Sequence, residues 1–435
     1  MLICIFAILL FLILVTGAPI LLALGSTGLF GIMLTDDLAN TLFAQKIFAM
    51  IDSYSLLAMP FFILAGSLMS RGGISKYLVE FAEICVGHLR AGLAHSAVLA
   101  SMIFANVSGS SVAGTTAVGT ILIPAMKAKG YKAGFAAALV ASAGTIAPII
   151  PPSMTMVVYG SMTGVSIGGL FLAGIIPGIL LGMSLMTAIV IQSRRPGNPE
   201  LRVTAGRRFD LWLVIKSLHK VWVALLAPVI ILGGILSGVF TATEAGVVTV
   251  FYALFVGLFI YQNIHLKDIP KILLDAALTT TSTVGVIAMA GAIGWLLAYL
   301  DFNDIVLRFI QSFSTNRTVV VFALLAFILV LTMFIESLAV LVIMIPVCVY
   351  VAAQYGFNAY HFGLLMVLTA QIGAVTPPVA VLLFVATSIA EIPYDQTIKY
   401  CLPFIIALVT VLALIVFFPP LASYIPNHFI GVPGG

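Results

Sequence analysis

Residues 144–153 read GTIAPIIPPS, and residues 373–378 read GAVTPP. Each Pro-Pro break interrupts a long apolar segment, and the two breaks occupy corresponding places in the two halves of the chain. Because proline removes a backbone donor and ends a helix, each break leaves free carbonyl and amide groups of two half-helices close together. Such backbone is tolerated at bilayer depth only where it is buried in protein or lines a cavity. Paired breaks therefore point to the midplane site of a transporter.

The composition is that of a polytopic membrane protein. Of the 435 residues, 62% are hydrophobic and 8% are charged, whereas soluble domains are about half apolar and a quarter charged. Because a membrane span needs about 20 apolar residues, the chain has room for roughly ten spans and for no sizeable soluble domain. The first 34 residues carry no charge, and we interpret them as one retained span.

Several function classes are excluded by missing motifs. The dipeptide Gly-Lys does not occur, so the chain has no phosphate-binding loop for ATP hydrolysis. The six histidines are dispersed without a His-Glu-x-x-His motif, and the four cysteines lack metal-ligand spacing. The net charge of +4 comes from a few loops, where it biases topology and is not a nucleic-acid signal. We therefore predict a protein that is not an enzyme.

The basic residues predict a first re-entrant hairpin. Residues 192–220 hold seven Lys or Arg against two acids, so this loop is cytoplasmic by the positive-inside rule. Counting back through two spans, 168–191 and 133–160, puts Lys127 on the cytoplasmic side, and Arg90 lies there as well. The apolar stretch 92–126 thus starts and ends on one side. It must enter the membrane and return, with the polar residues NVSGSS (106–111) at its tip.

The second half repeats this order of segments in the opposite membrane orientation. Three further spans lead to a second apolar stretch, 318–353, which has Glu336 and Ser337 near its middle, and a broken span, 361–388, follows it. If 318–353 were one crossing helix, everything after it would change sides, and the loop 389–399 carries too little charge to decide. The repeat is what favours a second re-entrant hairpin. The fold expected is an all-α polytopic membrane protein built from inverted repeats, with two re-entrant helical hairpins and two broken transmembrane helices.

These patterns divide the chain into six segments. The scaffold spans of the two repeats are residues 1–91 and 219–317. The two hairpins with their broken helices are residues 92–160 and 318–388, and they form the transport domain. The closing span and basic cytoplasmic loop of the first repeat are residues 161–218, and the closing span and C-terminal tail of the second are residues 389–435.

The hairpin tips and the breaks are the predicted binding positions. Their hydroxyls and free carbonyls suit a small hard cation that exchanges its water shell for oxygen ligands. Small residues also line ordinary membrane helix interfaces, but their density beside a broken helix favours a site. The predicted cation ligands are Ser108, Ser110, Ser111, Gly144, Thr145, Glu336, Ser337, Gly373, Val375 and Thr376. The predicted substrate positions are Asn106, Ser108, Gly109, Pro151, Pro152, Ser153, Thr376 and Pro377.

Two acids lie close to or within apolar segments. Glu244 follows Thr241 and Thr243, so we expect it in the first turn of a helix that one of these threonines caps. Glu336 is placed to neutralise a cation, to relay a proton or to cap a helix, and the residues alone do not separate these roles. No Lys or Arg is expected near either tip, so half-helix amides, hydroxyls and bound cations would hold an anionic substrate, which favours cation coupling.

The order of several motifs resembles one known family over nearly the whole chain. These motifs are GLAH (92–95), ANVSGSSVAG (105–114), IPPS (150–153), PG (177–178), FTATEA (240–245) and TPP (376–378). They occur in the order seen in the DctM-like large membrane subunit of tripartite ATP-independent periplasmic (TRAP) transporters. Ala242 is a departure, because the family more often has proline there.

The resemblance implies an elevator-type secondary transporter of the bacterial inner (cytoplasmic) membrane. It implies sodium ions as the coupling ion and carboxylate substrates such as C4-dicarboxylates, sialic acids and other sugar acids. It also implies two partners besides membrane lipid: a periplasmic substrate-binding protein and a DctQ-like small membrane subunit, which is expected as a separate polypeptide. Both partners rest on the resemblance alone.

Two other classes stay open. A stand-alone cation-coupled organic-anion transporter of a related inverted-repeat fold would share the hairpins and need no binding protein. A channel would need a continuous polar pore, whereas the polar residues of this chain cluster at mid-depth.

Overall fold

The computed structural model describes residues 2–35, 38–39, 41–195, 201 and 209–431, and every regular element in them is helical. In chain order the helices are α1 (Leu2–Val15), α2 (Ile20–Met33), α3 (Thr41–Ile51), α4 (Ala58–Arg71), α5 (Ile74–Val86), α6 (Gly92–Ser108), α7 (Ser111–Ala128), α8 (Ala133–Gly144), α9 (Met154–Thr163), α10 (Ile167–Arg194), α11 (Leu211–Leu236), α12 (Ala242–Phe255), α13 (Ile269–Tyr299), α14 (Phe302–Phe313), α15 (Arg317–Thr332), α16 (Ser337–Gln354), α17 (Ala359–Gly373), α18 (Val381–Ala390), α19 (Asp395–Phe417) and α20 (Pro420–Phe429).

The described part of the chain confirms an all-α polytopic membrane protein. It contains seven helical segments that are long and apolar enough to cross a membrane, and further apolar helices of 10–17 residues. In the basic stretch, Lys216 lies in α11. Arg202, Arg207 and Arg208 lie outside the described residues.

The prediction of a single span over the first 34 residues is wrong. Two helices of 14 residues, α1 and α2, occupy this stretch. They are separated at Gly17, which has a φ of +79°, and at Pro19, which precedes the first residue of α2. A left-handed glycine and a proline together end one helix and start the next.

The order of elements repeats in the two halves. The first series runs from α4 through the short α5, the helix pair α6 and α7, the interrupted α8 and α9, and the long α10. The second series has the same order from α13 to α19, with α14 as the short helix. The predicted pairs and breaks are therefore confirmed as helix pairs and interruptions. The two short helices, α5 and α14, were missed, because they are amphipathic and too short to register as spans.

Each helix pair turns at the predicted tip. Between α6 and α7, Gly109 takes a φ of +58°, and Ser110 caps α7 by accepting a hydrogen bond from the amide of Ala113 at 3.4 Å. Between α15 and α16, residues 333–336 form the turn, and Glu336 is the cap. The first turn uses a glycine in the left-handed region, whereas the second turns without one, and in both a polar cap starts the following helix.

Both breaks are capped by local groups. The side chain of Ser153 accepts a hydrogen bond from the amide of Met156 at 3.2 Å and donates one to the carbonyl of Pro148 at 2.5 Å, which starts α9. In the second break, the amide of Leu382 donates to the carbonyl of Ala374 at 3.1 Å. The chain can therefore leave the helix for several residues while its polar backbone groups find partners.

The two halves interlock through the short helices that follow the breaks. Helix α9 of the first series packs on α16 and α17, and α18 of the second series packs on α7 and α8. The side chain of Lys127 on α7 also donates to the carbonyl of Ala390 at 2.8 Å. The helix pairs and interrupted helices of both halves therefore form one packed unit.

Matching glycines allow the closest contacts in this unit. A methyl group added to Gly144, at the end of α8, would overlap Oγ1 of Thr115 on α7. A methyl group added to Gly373, at the end of α17, would overlap Oγ1 of Thr332 on α15. In each half, a threonine of the helix pair thus rests directly on the last turn before the break.

We expect the substitution Gly144→Ala to destabilise the protein by about 1–3 kcal/mol, because the added methyl overpacks this contact. Adding Thr115→Ala should recover most of the loss, since the next atom, the carbonyl oxygen of Ser111, is 3.2 Å away. The melting temperature of the purified protein in detergent measures the loss of stability in the single variant and its recovery in the double variant. The matched control is Gly233→Ala in α11, where no atom lies within 4 Å. Equal melting temperatures for Gly144→Ala and Gly233→Ala would contradict the packing argument.

Candidate functional site

One cavity of about 730 Å³ joins the tips of the two helix pairs. It lies between these tips, helix α7, and the helices α4 and α13. Six predicted site residues line it: Ser108, Gly109, Ser110, Ser111, Glu336 and Ser337. Residues that are more than 220 positions apart in the chain therefore meet at one surface.

The first tip rests on the first break. A methyl group built on Gly109 would lie 2.5 Å from the carbonyl oxygen of Pro152, so only glycine permits this approach. Ser108 and Ser110 are linked by hydrogen bonds of 3.3 Å around the turn. On the opposite side, a methyl built on Gly66 of α4 would be 3.3 Å from the Cα of Ser108. The tip is thus held between the break and α4.

The second tip rests on the second break in the same manner. The amide of Val379 donates to the carbonyl of Met333 at 3.2 Å, which joins the turn before α16 to the chain after the prolines. The hydroxyl of Thr376 donates to the carbonyl of Ile372 at 2.6 Å. This threonine therefore closes the last turn of α17 and does not line the cavity.

The remaining predicted residues do not line the cavity. They are Asn106, Gly144, Thr145, Pro151, Pro152, Ser153, Gly373, Val375, Thr376 and Pro377. Most are buried, and several support the tips, as Pro152 does beneath Gly109. The structure thus brings the two tips together at one surface, where Pro148 of the first break also lies, while the predicted residues of the breaks do not line the cavity.

The two acids have the capping geometry that the sequence allowed. Glu244 and Thr241 form a capping box, in which the amide of Thr241 donates to Oε2 of Glu244 at 2.7 Å. The predicted structural role of Glu244 is confirmed. Oε2 of Glu336 accepts from the amide of Ala339 at 3.0 Å, so Glu336 caps α16 while it also lines the cavity.

The expectation that no Lys or Arg lies near the tips is wrong. Arg71, at the end of α4, lines the same cavity and forms an ion pair with Asp275 of α13. In the sequence, Arg71 counts with Lys76 and Arg90 among the basic residues that precede the first hairpin on its cytoplasmic side. Only the packing of α4 against α13 turns it toward the cavity.

The polar residues of α4 and α13 were also missed. We call Ser67, Ser70, Thr279, Ser282 and Thr283 the polar wall; all five line the cavity. The run TTTST at residues 279–283 is a signal that could have found it, since hydroxyls are concentrated there within an apolar span.

The oxygen atoms at the tips and beside the breaks are suitable ligands for a hard cation. In the described part of the chain there is no group of three His, Cys, Asp or Glu that could hold a metal ion. Hydroxyl and carbonyl oxygens are instead available, and Oγ1 of Thr115 and Oε1 of Gln371 are buried without a hydrogen-bond partner in the protein. Such oxygens are the ligands that sodium-sized hard cations prefer.

The family described as "Tripartite ATP-independent periplasmic transporter, DctM component" matches residues 7–421. A putative TRAP transporter large permease protein of Haemophilus influenzae is 39% identical over 94% of this chain and 95% of its own length. The C4-dicarboxylate TRAP transporter large permease protein DctM of Pseudomonas aeruginosa is 38% identical over 93% and 94%. The sialic acid TRAP transporter large permease protein SiaM of Vibrio cholerae is 35% identical over 95% and 96%.

The fold is similar to that of a solved transporter. The Alcanivorax borkumensis YdaH transporter superposes with a TM-score of 0.64, at 11% sequence identity, over 88% of this chain and 89% of its own. At this identity the likeness concerns the fold alone. It agrees with the helical, repeated architecture described above.

The capping role of Glu336 makes a testable prediction. Glu336→Ala should lower the stability by about 1 kcal/mol, because Ala cannot accept the hydrogen bond from Ala339. Glu336→Asp and Glu336→Asn should keep the wild-type melting temperature, since both are good caps. A loss of stability in all three would exclude capping as the reason. The transport rate of the stable Glu336→Asn variant then measures what the negative charge of Glu336 contributes. A rate equal to that of the wild type would mean that Glu336 acts only as a helix cap.

Proposed function

Because the chain belongs to the DctM family of TRAP transporters, we propose that it takes up an organic acid, using a sodium gradient. The single observation that carries this proposal is the cavity in which both tips meet, since a transport site must be built from both halves of a repeat. Its volume of about 730 Å³ is that of a small-molecule site.

The substrate class proposed is a carboxylate or a sugar acid. The similar large permeases of Pseudomonas aeruginosa and Vibrio cholerae are named for C4-dicarboxylate and for sialic acid, and both substrates carry carboxylates. The polar wall supplies hydroxyls for the oxygens of such a solute.

Sodium is proposed as the coupling ion, with ligands among the oxygens of the tips and the breaks. Ser108, Ser110 and Ser111 place hydroxyls at the first tip, and Glu336 with Ser337 places oxygens at the second. A bound cation at each tip would offset the negative charge that a carboxylate brings into the cavity. Ion and substrate would then stabilise each other in the site.

Two partners and a location follow from the family. A tripartite transporter has two components besides this one, and we propose that they are a small membrane subunit and a periplasmic substrate-binding protein. The binding protein would deliver the substrate to the bacterial inner membrane from the periplasm. The chain itself is the multi-pass large permease.

We call the end of the cavity where Arg71 and Asp275 lie the mouth. These side chains are 43% and 42% exposed, whereas Ser108 and Ser111 at the tip are 4% and 9% exposed. Lys76 follows shortly after Arg71, and the positive-inside rule puts such residues in the cytoplasm. We therefore infer that the mouth lies at the cytoplasmic end of the cavity.

We propose an elevator movement for the change of access. The transport body would be residues 92–163 and 317–390, which interlock as described above. It would slide against a scaffold formed by the early helices and by α11 to α13. In this conformation the two bodies touch at Ser53 and Ser161, whose hydroxyls are 2.7 Å apart. Ser53 precedes the helical segment that ends at Arg71, so this contact is at the opposite end from the mouth.

Uptake into proteoliposomes that hold the small subunit, with the binding protein outside, tests the proposed function. The probes are radiolabelled succinate, N-acetylneuraminate and 2,3-diketo-L-gulonate. We expect uptake of one of them under an inward sodium gradient and none when choline replaces sodium. Undiminished uptake driven by a proton gradient would contradict sodium coupling, and failure with every probe would contradict the proposed substrate class.

A matched pair of variants ties this sodium dependence to the site. The hydroxyls of Thr376 and Thr410 both donate to the carbonyl four residues earlier, at 2.6 and 2.7 Å. Thr410 lies on the exposed face of α19, away from the cavity. Thr376→Val should raise the sodium concentration for half-maximal uptake, and Thr410→Val should not. Equal effects would mean that Thr376 only closes its helix.

The elevator proposal predicts that a disulfide between the bodies stops transport. In a background without Cys4, Cys85, Cys348 and Cys401, the pair Ser53→Cys and Ser161→Cys should block uptake on oxidation and recover on reduction, because the bodies can no longer move apart.

The control pair lies within the scaffold. The Cβ built on Gly246 of α12 is 3.0 Å from Cβ of Phe61 on α4. This is about 0.5 Å shorter than a disulfide needs, so Phe61→Cys with Gly246→Cys can pair after a small shift. Its oxidation should be tolerated. Full uptake by the oxidised variant with Ser53→Cys and Ser161→Cys would contradict the elevator movement and favour local gating at the tips.

A further inference from the structure

A polar strip leads from the tips to the mouth of the cavity. On α13, Asp275, Thr279, Ser282 and Thr283 recur at intervals of three and four residues, which places them on one helical face. On α4, Ser67, Ser70 and Arg71 continue the strip. The facing surface of α7 has only small side chains.

The mouth carries one ion pair with spare hydrogen-bonding capacity. Nη2 of Arg71 contacts Oδ2 of Asp275, and a guanidinium has five N–H donors. Because both side chains are nearly half exposed, solvent screens them, and a pair of this kind contributes little to stability. The remaining donors of Arg71 are therefore available to a second carboxylate.

Arg71 is within reach of a solute that lies against the first tip. Helix α4 touches the tip at Gly66, where an added methyl would be 3.3 Å from the Cα of Ser108. Arg71 follows five residues later, which is about 7.5 Å along the helix axis. This distance is comparable with the length of a small organic acid. Among the described residues that line the cavity, Arg71 is the cation.

We propose that Arg71 binds a carboxylate of the substrate at the mouth of the cavity, and that Asp275 is the counterion that the substrate displaces. Arginine presents its donors in a fork that matches a carboxylate, which a hydroxyl does not. Asp275 limits the affinity, because the substrate must compete with it before it can bind. When the substrate leaves, Asp275 returns to Arg71, so release does not leave an unpaired cation. This inference rests on the proposed carboxylate substrate.

The test measures binding to the permease directly, since the binding protein would dominate uptake kinetics. The large and small subunits are purified together in lipid nanodiscs with sodium. The readout is the concentration of succinate, N-acetylneuraminate or 2,3-diketo-L-gulonate that gives half of the maximal rise in melting temperature. The melting temperature without ligand reports whether each variant folds.

We expect Arg71→Gln to raise the half-maximal concentration about tenfold or more, because a charge-assisted hydrogen bond is lost. Arg71→Lys should fall between wild type and Gln, since it keeps the charge and loses the fork. Asp275→Asn should lower the half-maximal concentration, because the competing carboxylate is gone. The control Lys76→Gln removes an exposed positive charge from α5, outside the cavity, and should leave the value unchanged.

A purely structural ion pair gives the opposite pattern. Arg71→Gln and Asp275→Asn would then weaken binding equally, and the double variant would return to wild type. A double variant that stays as weak as Arg71→Gln supports substrate binding by Arg71. Wild-type binding by Arg71→Gln would overturn this inference alone, whereas a wild-type protein that binds none of the three acids would overturn the proposed substrate class with it.

Discussion

The polar backbone of an interrupted helix must find partners inside the protein, because an unpaired amide or carbonyl at membrane depth costs several kcal/mol. In the second half the tip supplies such a partner, because the amide of Val379 donates to the carbonyl of Met333. In the first half Ser153 pairs with the carbonyl of Pro148 inside the break, and Gly109 lets the tip pack closely against the carbonyl of Pro152. A tip and a break therefore stabilise each other, and neither would be stable alone in an apolar setting.

This constraint explains where glycine and threonine occur. Gly144 and Gly373 end the helices that precede the breaks, and a threonine hydroxyl of the neighbouring helix packs closely against each of them. A larger residue would push the helix pair away from the break that it supports. The close contacts also hold each helix pair against its interrupted helix. Because α9 and α18 each pack on helices of the other half, they join the two halves into one unit.

The cavity has two walls of different chemistry. The tips contribute serine hydroxyls and the carboxylate of Glu336, while α4 and α13 contribute hydroxyls and the pair of Arg71 with Asp275. A fully buried ion pair would suffer a large desolvation penalty. At the mouth both partners remain nearly half exposed, so the penalty is smaller and the charges stay accessible to a solute. Exposure is therefore uneven within the cavity: Ser108 and Ser111 are buried, whereas the charged groups Glu336, Arg71 and Asp275 keep exposed surface.

The sequence by itself determined the class of protein, the two interruptions and the two turns, because each depends on local chemistry. Proline pairs end helices, Gly109 and Ser110 permit a tight turn, and Thr241 with Glu244 caps a helix wherever the chain goes. Only the tertiary structure decided that both tips meet in one cavity and that Arg71 faces it. Those facts depend on how α4 packs against α13, a contact between residues some 200 positions apart. Local patterns do not encode such a distance, since many packings of the same helices satisfy them.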